Sequence, residues 1–507
     1  MPDILLTTLN ARYSHCSMGL RYLYANMGQL QDNTEIREFV IDARPIDVVE
    51  QLLSLNPKII GLGVYIWNIE QCTEIVSLIK TIAPEVFILL GGPEVSFEHQ
   101  GRRIINDADY ILCGTADLLF AETCTTLLQG KRPLLKILSA PPPKLSELRM
   151  PYEAYTDVDI STRNIYVEAS RGCPFKCEFC LSSLDKTAWA FDLDEFLDEM
   201  EKLYQRGARR FRFVDRTFNL KANSSARILQ FFLDRMDETL FVHFEVIPDH
   251  LPDILKDLIP MFPAGTLQFE VGVQSFNPEV QQLISRKQDN EKTKTNLKWL
   301  REDSQAHIHA DLIAGLPGEN LESFAKGFDE LISLGPHEIQ VGILKRLRGS
   351  PIIRHTAAFD LRFNPAPPYN ILRTRDLSFE ELQRINRFAR YWDLIANSGR
   401  FYHSLPVLLA DKPFSQFMAL SDWIYQDSGK QHKLSLQKLY QLVYFGSQTA
   451  LGMDKADIET TLKKDFAQSG MKGQFERLIT PKSGSHLETR EKIFSQPPSR
   501  QGRHMPR

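Results

Sequence analysis

The amino-acid sequence predicts an α/β protein in three parts. A doubly wound N-terminal domain of the Rossmann or flavodoxin type covers 1–130, a partial (βα)6 barrel covers 162–350, and an all-α domain covers 370–480. Two observations lead to this prediction. Short apolar runs alternate twice along the chain with helix-length periodic segments, which is typical of parallel sheets. Beyond Pro351 the apolar runs end and only helical periodicity remains.

The first alternation predicts parallel strands separated by helices. We expect strands at 3–8, 35–41, 58–64, 86–90 and 110–113, and helices at 18–30, 46–55, 69–82 and 116–128. Doubly wound sheets bind ligands beyond the C-terminal ends of their strands, where the strand order switches. The sequence therefore predicts a ligand site built from 7–16, 64–68, 91–94 and 113–117.

The second alternation follows a predicted linker. Residues 131–161 contain Pro141-Pro142-Pro143 and little periodicity, so we interpret them as a segment that wraps between domains. Six strands are then expected at 165–169, 210–214, 241–246, 266–272, 307–313 and 338–343, with helices between them. In closed barrels of this type the functional residues lie at the C-terminal ends of the strands.

The C-terminal third is predicted to be helical. Helices are expected at 379–397, 413–426, 434–445 and 455–468, and we interpret their aromatic residues as core positions. From Pro481 the chain becomes polar and basic, which predicts a disordered tail over 481–507.

Composition and charge narrow the classes of function. Of the 507 residues, 43% are hydrophobic and 24% are charged, and the formal net charge is -4. This balance is ordinary for a globular protein and gives no broad electrostatic argument for a nucleic-acid or membrane partner. The sequence shows neither a membrane-length apolar run nor an apolar leader, because Asp3 interrupts the N-terminus. Seven cysteines, three of them in one motif, do not suggest a disulfide framework, so we expect a cytoplasmic protein.

The motif with the most chemical content follows the first strand of the second alternation. In Arg171-Gly-Cys-Pro-Phe-Lys-Cys-Glu-Phe-Cys180, the residues Cys173, Cys177 and Cys180 form a C-x3-C-x2-C array. Three thiolates on one loop can hold three irons of a [4Fe–4S] cluster and leave the fourth iron open to a ligand. The alternative is a zinc knuckle. Structural zinc takes four ligands, commonly from paired C-x2-C arms, and no second arm follows here.

The region from about 165 to 345 resembles the core of radical S-adenosylmethionine (SAM) enzymes. It shares their C-x3-C-x2-C motif, and two further segments resemble the oxygen-independent coproporphyrinogen oxidase branch: VGVQSFNPEVQQLISR at 271–286 and DLIAGLPGE at 311–319. In that branch SAM chelates the open iron, and an electron from the cluster cleaves it to a 5'-deoxyadenosyl radical. The resemblance therefore implies a radical SAM enzyme with an electron donor such as flavodoxin or ferredoxin.

The resemblance also implies which residues bind SAM. Glu245 would accept a hydrogen bond from the amino group, Gln274 and Asp311 would bind the ribose hydroxyls, and Arg286 would pair with the carboxylate. A carboxylate suits an ammonium group, and a guanidinium fork suits a carboxylate. Alternatively, Glu245 and Asp311 are ion-pair partners at the barrel end and Arg286 is a helix C-terminal cation.

Further contacts implied by the resemblance concern the adenine ring. Gly315 and Gly318 would let the backbone pass close to adenine, Leu316 would be an apolar contact, and Phe179 would touch the ring through its backbone. Asp215 ends the second core strand and either contacts substrate or SAM, or caps a neighbouring segment.

The N-terminal domain resembles the cobalamin-binding domain that is fused to such cores. The similar segments are LNARYSH at 9–15, GLGVYIWN at 61–68 and ILLGGP at 88–93. In these domains the nucleotide tail of cobalamin passes along the sheet, and here Gly91 and Gly92 would let the backbone approach it without a Cβ in the way. The loop that contains Tyr65 and Trp67 would lie under the cobalt.

Two departures from the cobalamin-binding pattern are visible. The D-x-H-x-x-G loop that supplies a lower cobalt ligand is missing: His15 lies in the corresponding loop, but Tyr13 stands where the acid belongs and Gly19 is one residue too far. The resemblance then implies cobalamin without a protein ligand below the cobalt. The sequence Gly114-Thr-Ala-Asp117 also differs from the Gly-Glu-Gly-Glu of many relatives.

Methylthiotransferases are a rival family, because they too join a doubly wound domain to a radical SAM core. Their first domain binds a second cluster through three cysteines, and Cys16, Cys72 and Cys113 are available here. Cys72, however, lies within a predicted helix and away from the strand ends.

These observations lead to the interpretation of a cobalamin-dependent radical SAM enzyme with SAM, a [4Fe–4S] cluster and cobalamin as cofactors. The commonest activity of this architecture is methylation of an unactivated carbon or a phosphinate, on a small-molecule substrate that the sequence does not identify. One alternative is non-methylating chemistry, such as cyclisation, rearrangement or oxidation, with or without bound cobalamin. Another is a cobalamin or SAM sensor. Neither a membrane nor a nucleic-acid partner is expected.

Overall fold

A computed structural model gives the structure of residues 1–479, which form two compact units. The first unit contains Met1–Val246, Lys345–Arg354 and Phe363–Asn370, and the second contains Ile247–Leu344, His355–Arg362 and the described chain from Ile371 onward. The predicted tail at 481–507 lies outside the described residues.

The regular elements are numbered in chain order. The strands β1–β16 are Ile4–Asn10, Thr34–Val40, Ile59–Gly63, Phe87–Gly91, Tyr110–Cys113, Ile137–Ser139, Ile165–Val167, Ser170–Arg171, Trp189–Ala190, Arg210–Phe213, Phe241–Val246, Leu267–Gln274, His307–Ala314, Glu338–Ile343, Arg362–Phe363 and Ile371–Arg373. The α-helices α1–α18 are Met18–Ala25, Pro45–Leu53, Ile69–Ile82, Arg103–Asp107, Leu119–Leu128, Asp157–Thr162, Leu193–Gln205, Ala222–Leu233, Asp253–Leu258, Pro278–Leu283, Asn290–Asp303, Leu321–Ser333, Phe379–Ile395, Leu405–Leu409, Pro413–Ser428, Leu436–Thr449, Lys455–Gln468 and Phe475–Ile479.

The N-terminal sheet of the first unit confirms the predicted doubly wound domain. Its strands are all parallel in the order β2-β1-β3-β4-β5-β6. The order reverses at β1, so the chain leaves this strand toward β2 and continues on its other side with β3. Apolar side chains are buried on both faces, and β1 is buried along its whole length, as a central strand covered by helices requires.

Two details of this domain differ from the sequence prediction. The helix expected at 18–30 ends at Ala25, because the Asn26 side chain donates to the carbonyl of Tyr22 (2.8 Å) and Gly28 adopts a φ of +56°. The segment expected to be a linker contains β6, which pairs with β5 at the edge of the sheet, and the helix α6. On α6, Asp159 forms a buried ion pair with Arg21 at 2.8 Å.

The six strands predicted for the core are all present. In the first unit β7, β10 and β11 are parallel neighbours in the order β11-β10-β7, and phenylalanines pack beneath them, including Phe213, Phe232 and Phe244. In the second unit β12, β13 and β14 are parallel neighbours, and buried residues alternate along β12. Functional residues are therefore expected at the C-terminal ends of these six strands.

The helices α13–α18 of the second unit confirm the predicted all-α region. Their aromatic residues form a packed core, in which Phe388 and Trp392 of α13 contact Phe414 and Phe417 of α15 and Phe328 of α12. This agrees with the interpretation of these aromatic residues as core positions. Among residues 1–479, the structure contains no helix with the length and apolar character needed to cross a membrane.

Candidate functional site

The three motif cysteines lie on one loop after β7 and β8, at the C-terminal end of the first core strand. Cys173 and Cys177 are buried and Cys180 is half-buried. The loop is held by its own main chain, since the Cys173 N–H donates to the carbonyl of Asp185 (2.8 Å) and the Cys180 N–H donates to that of Cys177 (3.1 Å). Three soft thiol donors on a fixed, largely buried loop fit a [4Fe–4S] cluster with one open iron.

Charges around the loop bear on whether the thiols lose their protons. Burial raises the pKa of Cys173, the two other thiols raise it further, and the Arg216 guanidinium opposes them. Arg216 follows β10 and donates to the Glu245 carboxylate at 2.5 Å. Glu245 thus has the ion-pair partner that the alternative interpretation expected, and its contact with the SAM amino group stays a prediction. Phe179 is half-buried beside Cys180, and its contact with adenine likewise stays a prediction.

Asp215, at the end of β10, holds the start of the cysteine loop. Its carboxylate accepts hydrogen bonds from the Ser170 hydroxyl (2.5 Å) and the Ala169 N–H (3.0 Å). Burial raises the pKa of Asp215 to about 7. Of the two roles considered for this residue, the structure supports the capping of a neighbouring segment.

A cleft of about 300 Å³ lies at the C-terminal ends of β3, β4 and β5 in the N-terminal domain. Its walls include the predicted glycines Gly91 and Gly92. Gly92 has a φ of +108°, and a Cβ there would lie 2.4 Å from the Val64 carbonyl oxygen, so the backbone requires glycine. A Cβ on Gly91 would instead meet only the carbonyl oxygen of Leu112, at 3.9 Å. The bare backbone at Gly91 therefore faces space that an elongated ligand can occupy.

The loop after β3 presents two stacked aromatic rings. Tyr65 and Trp67 lie parallel, with ring centroids 4.5 Å apart and an interplanar angle of 3°. Asn68 is fully buried and fastens the loop, because its side chain donates to the Leu9 carbonyl (3.0 Å) and accepts from the Tyr65 N–H (2.8 Å). The Trp67 indole N–H donates to the same Leu9 carbonyl, yet 44% of the residue is exposed. The loop is thus a rigid, partly exposed aromatic platform.

His15 is committed to another contact. Its Nδ1 lies 2.5 Å from the hydroxyl of Tyr166 on β7, and burial lowers its pKa. This geometry agrees with the interpretation that His15 is not a cobalt ligand.

The cysteines of the rival methylthiotransferase interpretation occupy three different environments. Cys72 is fully buried in the apolar core around α3. Cys16 lies beside Arg163, and burial raises its pKa to about 12. Cys113, half-buried at the end of β5, lies 3.6 Å from His99. None of these settings suggests a second cluster.

The wall of the cleft includes Glu168 and Arg171, which sequence reasoning did not assign to it. Asp117, from the predicted segment 113–117 after β5, lies there with them. Arg171 binds Asp117 in a bidentate pair (3.0 and 3.1 Å) and Glu168 at 2.6 Å. Burial raises the pKa of Glu168, and Arg171 opposes this shift. Arg171 and Asp117 were visible as parts of motifs, but nothing in their spacing indicated that they pair.

In the second unit, Gln274, Arg286 and Asp311 converge on Gly272 of β12. Asp311 on β13 is the register partner of Gly272, and Arg286 donates to the Gly272 carbonyl oxygen. The Gln274 side chain folds back over Gly272, where a Cβ would lie 2.5 Å from its Nε2. Gln274 follows a register shift and has a φ of +69°. Three side chains that the resemblance assigns to SAM are therefore neighbours in the fold.

The predicted adenine contacts Gly315 and Leu316 lie at the end of β13. Gly315 has a φ of +89°, and a Cβ there would be 2.5 Å from Ile371, while Leu316 is fully buried. The side of Gly315 that lacks a Cβ is thus occupied by protein. Gly318 shows the same pattern against Leu283, at 2.7 Å. These contacts explain the glycines through packing, and the approach of adenine stays a prediction.

Comparison with known families agrees with this division of the chain. Residues 4–123 match a family model described as a B12 binding domain, and residues 167–331 match the radical SAM superfamily. Residues 357–501 match a family described as a protein of unknown function, DUF4080. The chain therefore carries a B12-binding domain followed by a radical SAM domain, as the motifs predicted.

Several known proteins resemble more than half of the chain. An uncharacterised methyltransferase, PH0819, of Pyrococcus horikoshii is 25% identical over 351 residues, covering 62% of this chain and 73% of that protein. The cobalamin-dependent radical SAM methyltransferase TokK of Streptomyces tokunonensis is 24% identical, covering 57% of this chain and 47% of TokK, so the chain spans about half of TokK's length.

A solved structure supports the fold. The radical SAM methyltransferase TsrM of Kitasatospora setae, with cobalamin and a [4Fe–4S] cluster bound, matches with a TM-score of 0.57 and 15% identity. The match covers 93% of this chain and all of that one. At this identity the likeness concerns the fold.

Proposed function

We propose that this protein, in which a B12-binding domain precedes a radical SAM domain, is a cobalamin-dependent enzyme that methylates an unactivated position of a small molecule. When bound, the cluster and SAM supply a radical that removes a substrate hydrogen, and the corrin supplies the methyl group. PH0819, TokK and TsrM are all described as methyltransferases, which supports methyl transfer.

One observation carries the proposal. The cleft at the strand ends of the B12-binding domain is walled in part by Glu168 and Arg171, which lie shortly before Cys173, the first cysteine of the cluster motif. A ligand in this cleft therefore lies against the cluster loop. The radical chemistry that a bound cluster would supply and the methyl group that a bound corrin would supply could act on one substrate only if both groups were close, and the shared wall supports such an arrangement.

Residues of the first unit hold the cluster and the corrin in this proposal. Cys173, Cys177 and Cys180 would bind three irons, and Arg216 favours the thiolate form of Cys173. Gly91 and Gly92 let the backbone approach the corrin's nucleotide tail. In the second unit, Gln274 and Asp311 bind the SAM ribose and Arg286 its carboxylate, since these three side chains meet at Gly272.

The lower face of the corrin is proposed to rest on the platform of Tyr65 and Trp67 without a protein ligand to cobalt. The D-x-H-x-x-G pattern is missing, and His15 is hydrogen-bonded to Tyr166. The cob(II)alamin form of the protein should therefore show an EPR spectrum without nitrogen superhyperfine splitting from an axial histidine. Splitting that disappears in a His15→Ala variant would contradict this arrangement.

The remaining partners follow from the chemistry. The cluster needs a low-potential electron donor, for which we propose a flavodoxin or ferredoxin, and such a cluster is best preserved in the cytoplasm.

The test is anaerobic turnover with SAM labelled in its methyl group, the reconstituted protein and an extract of the source cell. Iron, sulfide and the visible spectrum of corrin are measured first. The proposal predicts 5'-deoxyadenosine together with label in a new small molecule. Deoxyadenosine without any labelled product would indicate non-methylating chemistry, and the absence of deoxyadenosine would favour a sensor.

A further inference from the structure

The cluster loop is joined to the B12-binding domain by an ion-pair bridge at its start. Arg171, two residues before Cys173, binds the Asp117 carboxylate with two parallel N–H···O contacts of 3.0 and 3.1 Å. Asp117 belongs to the loop between β5 and α5, and both side chains are largely buried (15% and 9% exposed). Bidentate guanidinium–carboxylate pairs restrict both distance and orientation. The Arg171–Asp117 pair therefore sets where the start of the cysteine loop, here called the cluster loop, lies relative to the cleft at the ends of β3, β4 and β5. We call this cleft the corrin cleft.

A second connection starts from the loop after β4. Glu94, two residues beyond Gly92, is buried, and its Oε1 accepts from the Arg348 Nε (2.7 Å) and from the Tyr369 hydroxyl (2.7 Å). The neighbouring Glu98 accepts from Arg348 (3.1 Å) and from Arg346 (2.7 Å). Residues Lys345–Arg354 are here called the return segment. Two arginines of this segment thus bind two carboxylates close to Gly91 and Gly92, the glycines proposed to face the nucleotide tail.

The return segment also fits this loop by shape and continues to the cluster. Gly349 has a φ of +81°, and a Cβ there would lie 2.5 Å from the Phe97 ring, so the segment is seated on the loop. Three residues later the Ile352 N–H donates to the Glu178 carbonyl (3.0 Å), and Arg354 binds the Glu178 carboxylate. Glu178 lies between Cys177 and Cys180, so this connection ends inside the cluster motif.

We propose that two bridges set the distance between the corrin and the cluster. One is the Arg171–Asp117 pair, and the other is the return segment, which connects Glu94 to Glu178. Arg171, Asp117, Glu94 and Arg348 are then positioning residues for the reaction. The inference rests on the proposed function, because it assumes that both cofactors are bound.

The physical reason lies in where the bridges attach. One holds the cluster loop before Cys173 and the other holds it between Cys177 and Cys180, and both lead to loops that border the corrin cleft. An attachment at one point leaves the loop free to tilt about it in any direction, whereas a second attachment removes most of that freedom. Since productive transfer depends on sub-ångström placement of the reacting groups, loss of one bridge should broaden the separation of the cofactors without removing either of them.

The experiment measures that separation in the holoenzyme. Full-length protein is reconstituted with iron, sulfide and hydroxocobalamin and reduced with dithionite, so that cob(II)alamin and the reduced cluster are both paramagnetic. Their spin–spin splitting is recorded for the wild type and for Asp117→Asn, Glu94→Gln and the double variant. We expect full cluster occupancy and cobalamin affinity within about threefold of wild type in each single variant, which corresponds to under 1 kcal/mol. The splitting should fall at least twofold or become a broad distribution.

The controls separate positioning from general loss of stability. Asp109→Asn removes a half-buried pair with Lys80 (3.0 Å) inside the B12-binding domain and should leave the splitting unchanged. If Asp117→Asn fails to fold, Arg171→Lys, which keeps the charge but loses the fork, should show the same broadening. Unchanged splitting in both bridge variants with both cofactors bound would overturn the inference. A wild-type protein that binds no corrin would overturn the proposed function, and this inference with it.

Discussion

The strand ends of the N-terminal sheet and those of the core present different chemistry. Around the cleft of the N-terminal domain the wall consists mainly of apolar side chains and glycine backbone, as at Leu112, Gly91 and Gly92, with the Arg171–Asp117 pair on one side. The core strands instead end in ionisable side chains, such as Asp215, Glu245 and Asp311. The first surface suits a large ligand that is recognised by shape, and the second suits small charged and hydroxyl groups that are recognised one by one. Substitutions should therefore act by added volume in one region and by lost polar groups in the other.

The largest effect is expected at the cluster loop, because the proposed reaction cannot begin without the cluster. Cys177→Ser replaces a soft thiolate with a hydroxyl, a poor ligand for iron in these clusters. We expect cluster iron and 5'-deoxyadenosine formation to fall to background, while the corrin still binds. Iron analysis, the visible spectrum and chromatography of reductive SAM cleavage products measure these outcomes. Cys72→Ser, in the apolar core around α3, is the matched control and should retain both cluster and product. Retention of an intact cluster by Cys177→Ser would contradict the assignment.

The next effect tests recognition by shape. Gly91→Leu places a side chain in the cleft, since a Cβ there is 3.9 Å from its nearest neighbour outside the adjoining residues. Overpacking of this type costs about 1–3 kcal/mol, so the dissociation constant of hydroxocobalamin should rise roughly 5- to 150-fold. Gly92→Ala is the contrasting variant, because its Cβ would collide with the Val64 backbone and lower the stability of the protein itself. Unchanged corrin affinity in Gly91→Leu would place the nucleotide tail elsewhere.

A smaller effect tests recognition by single polar groups. Asp311→Asn keeps the shape of the side chain but removes its charge. Hydrogen bonds to charged groups contribute about 1.5–3 kcal/mol, so the dissociation constant of SAM should rise roughly 10- to 150-fold, with corrin affinity unchanged. Equilibrium dialysis with labelled SAM measures the first dissociation constant, and a titration with hydroxocobalamin followed by its visible spectrum measures the second. Asp303→Asn, exposed at the end of α11, is the control. If Asp311→Asn binds SAM with wild-type affinity, Asp311 stabilises β13 and does not bind the ligand.

The last prediction concerns how the stability of the protein depends on pH. Burial raises the pKa of Glu319, which accepts from the Ser275 hydroxyl at 2.6 Å, to about 7. Because its folded pKa lies above its usual value, the folded state binds more protons than the unfolded chain from about pH 4.5 to 7. Stability should therefore decrease as pH rises through this window, by on the order of 3 kcal/mol, and level off above it.

Glu319→Gln removes that titration and tests its assignment. The difference in free energy of unfolding between the variant and the wild type should increase in favour of the variant from pH 5 to pH 8, measured by urea denaturation. A difference that does not change with pH would show that Glu319 is not the titrating group.

Most of the fold was predictable from the sequence, because it depends on local periodicity. The strands that carry Gly91 and Asp311, and the strand that precedes the loop of Cys173, were each expected near their observed positions. The edge strand β6 was missed, since three residues are too few to show a period. The placement of 345–354 within the first unit was also missed, because it follows from long-range pairing with Glu94 and Glu98.

The candidate site shows the same limit. Motifs indicated Gln274, Arg286 and Asp311, and the structure shows them meeting at Gly272. The partners Arg216 of Glu245 and Asp117 of Arg171 were not predictable, because 29 and 54 residues separate them in the sequence. Which side chains pair over such distances is decided by strand order and register.

The most direct test of the central claim, that a methyl group passes through a corrin beside the cluster, compares two proteins in one assay. Wild type and Gly91→Leu are turned over anaerobically with methyl-labelled SAM and the same extract. The account predicts deoxyadenosine from both proteins, and labelled product that falls in the variant in proportion to its bound corrin. Labelled product from Gly91→Leu protein that has been shown to lack corrin would contradict it.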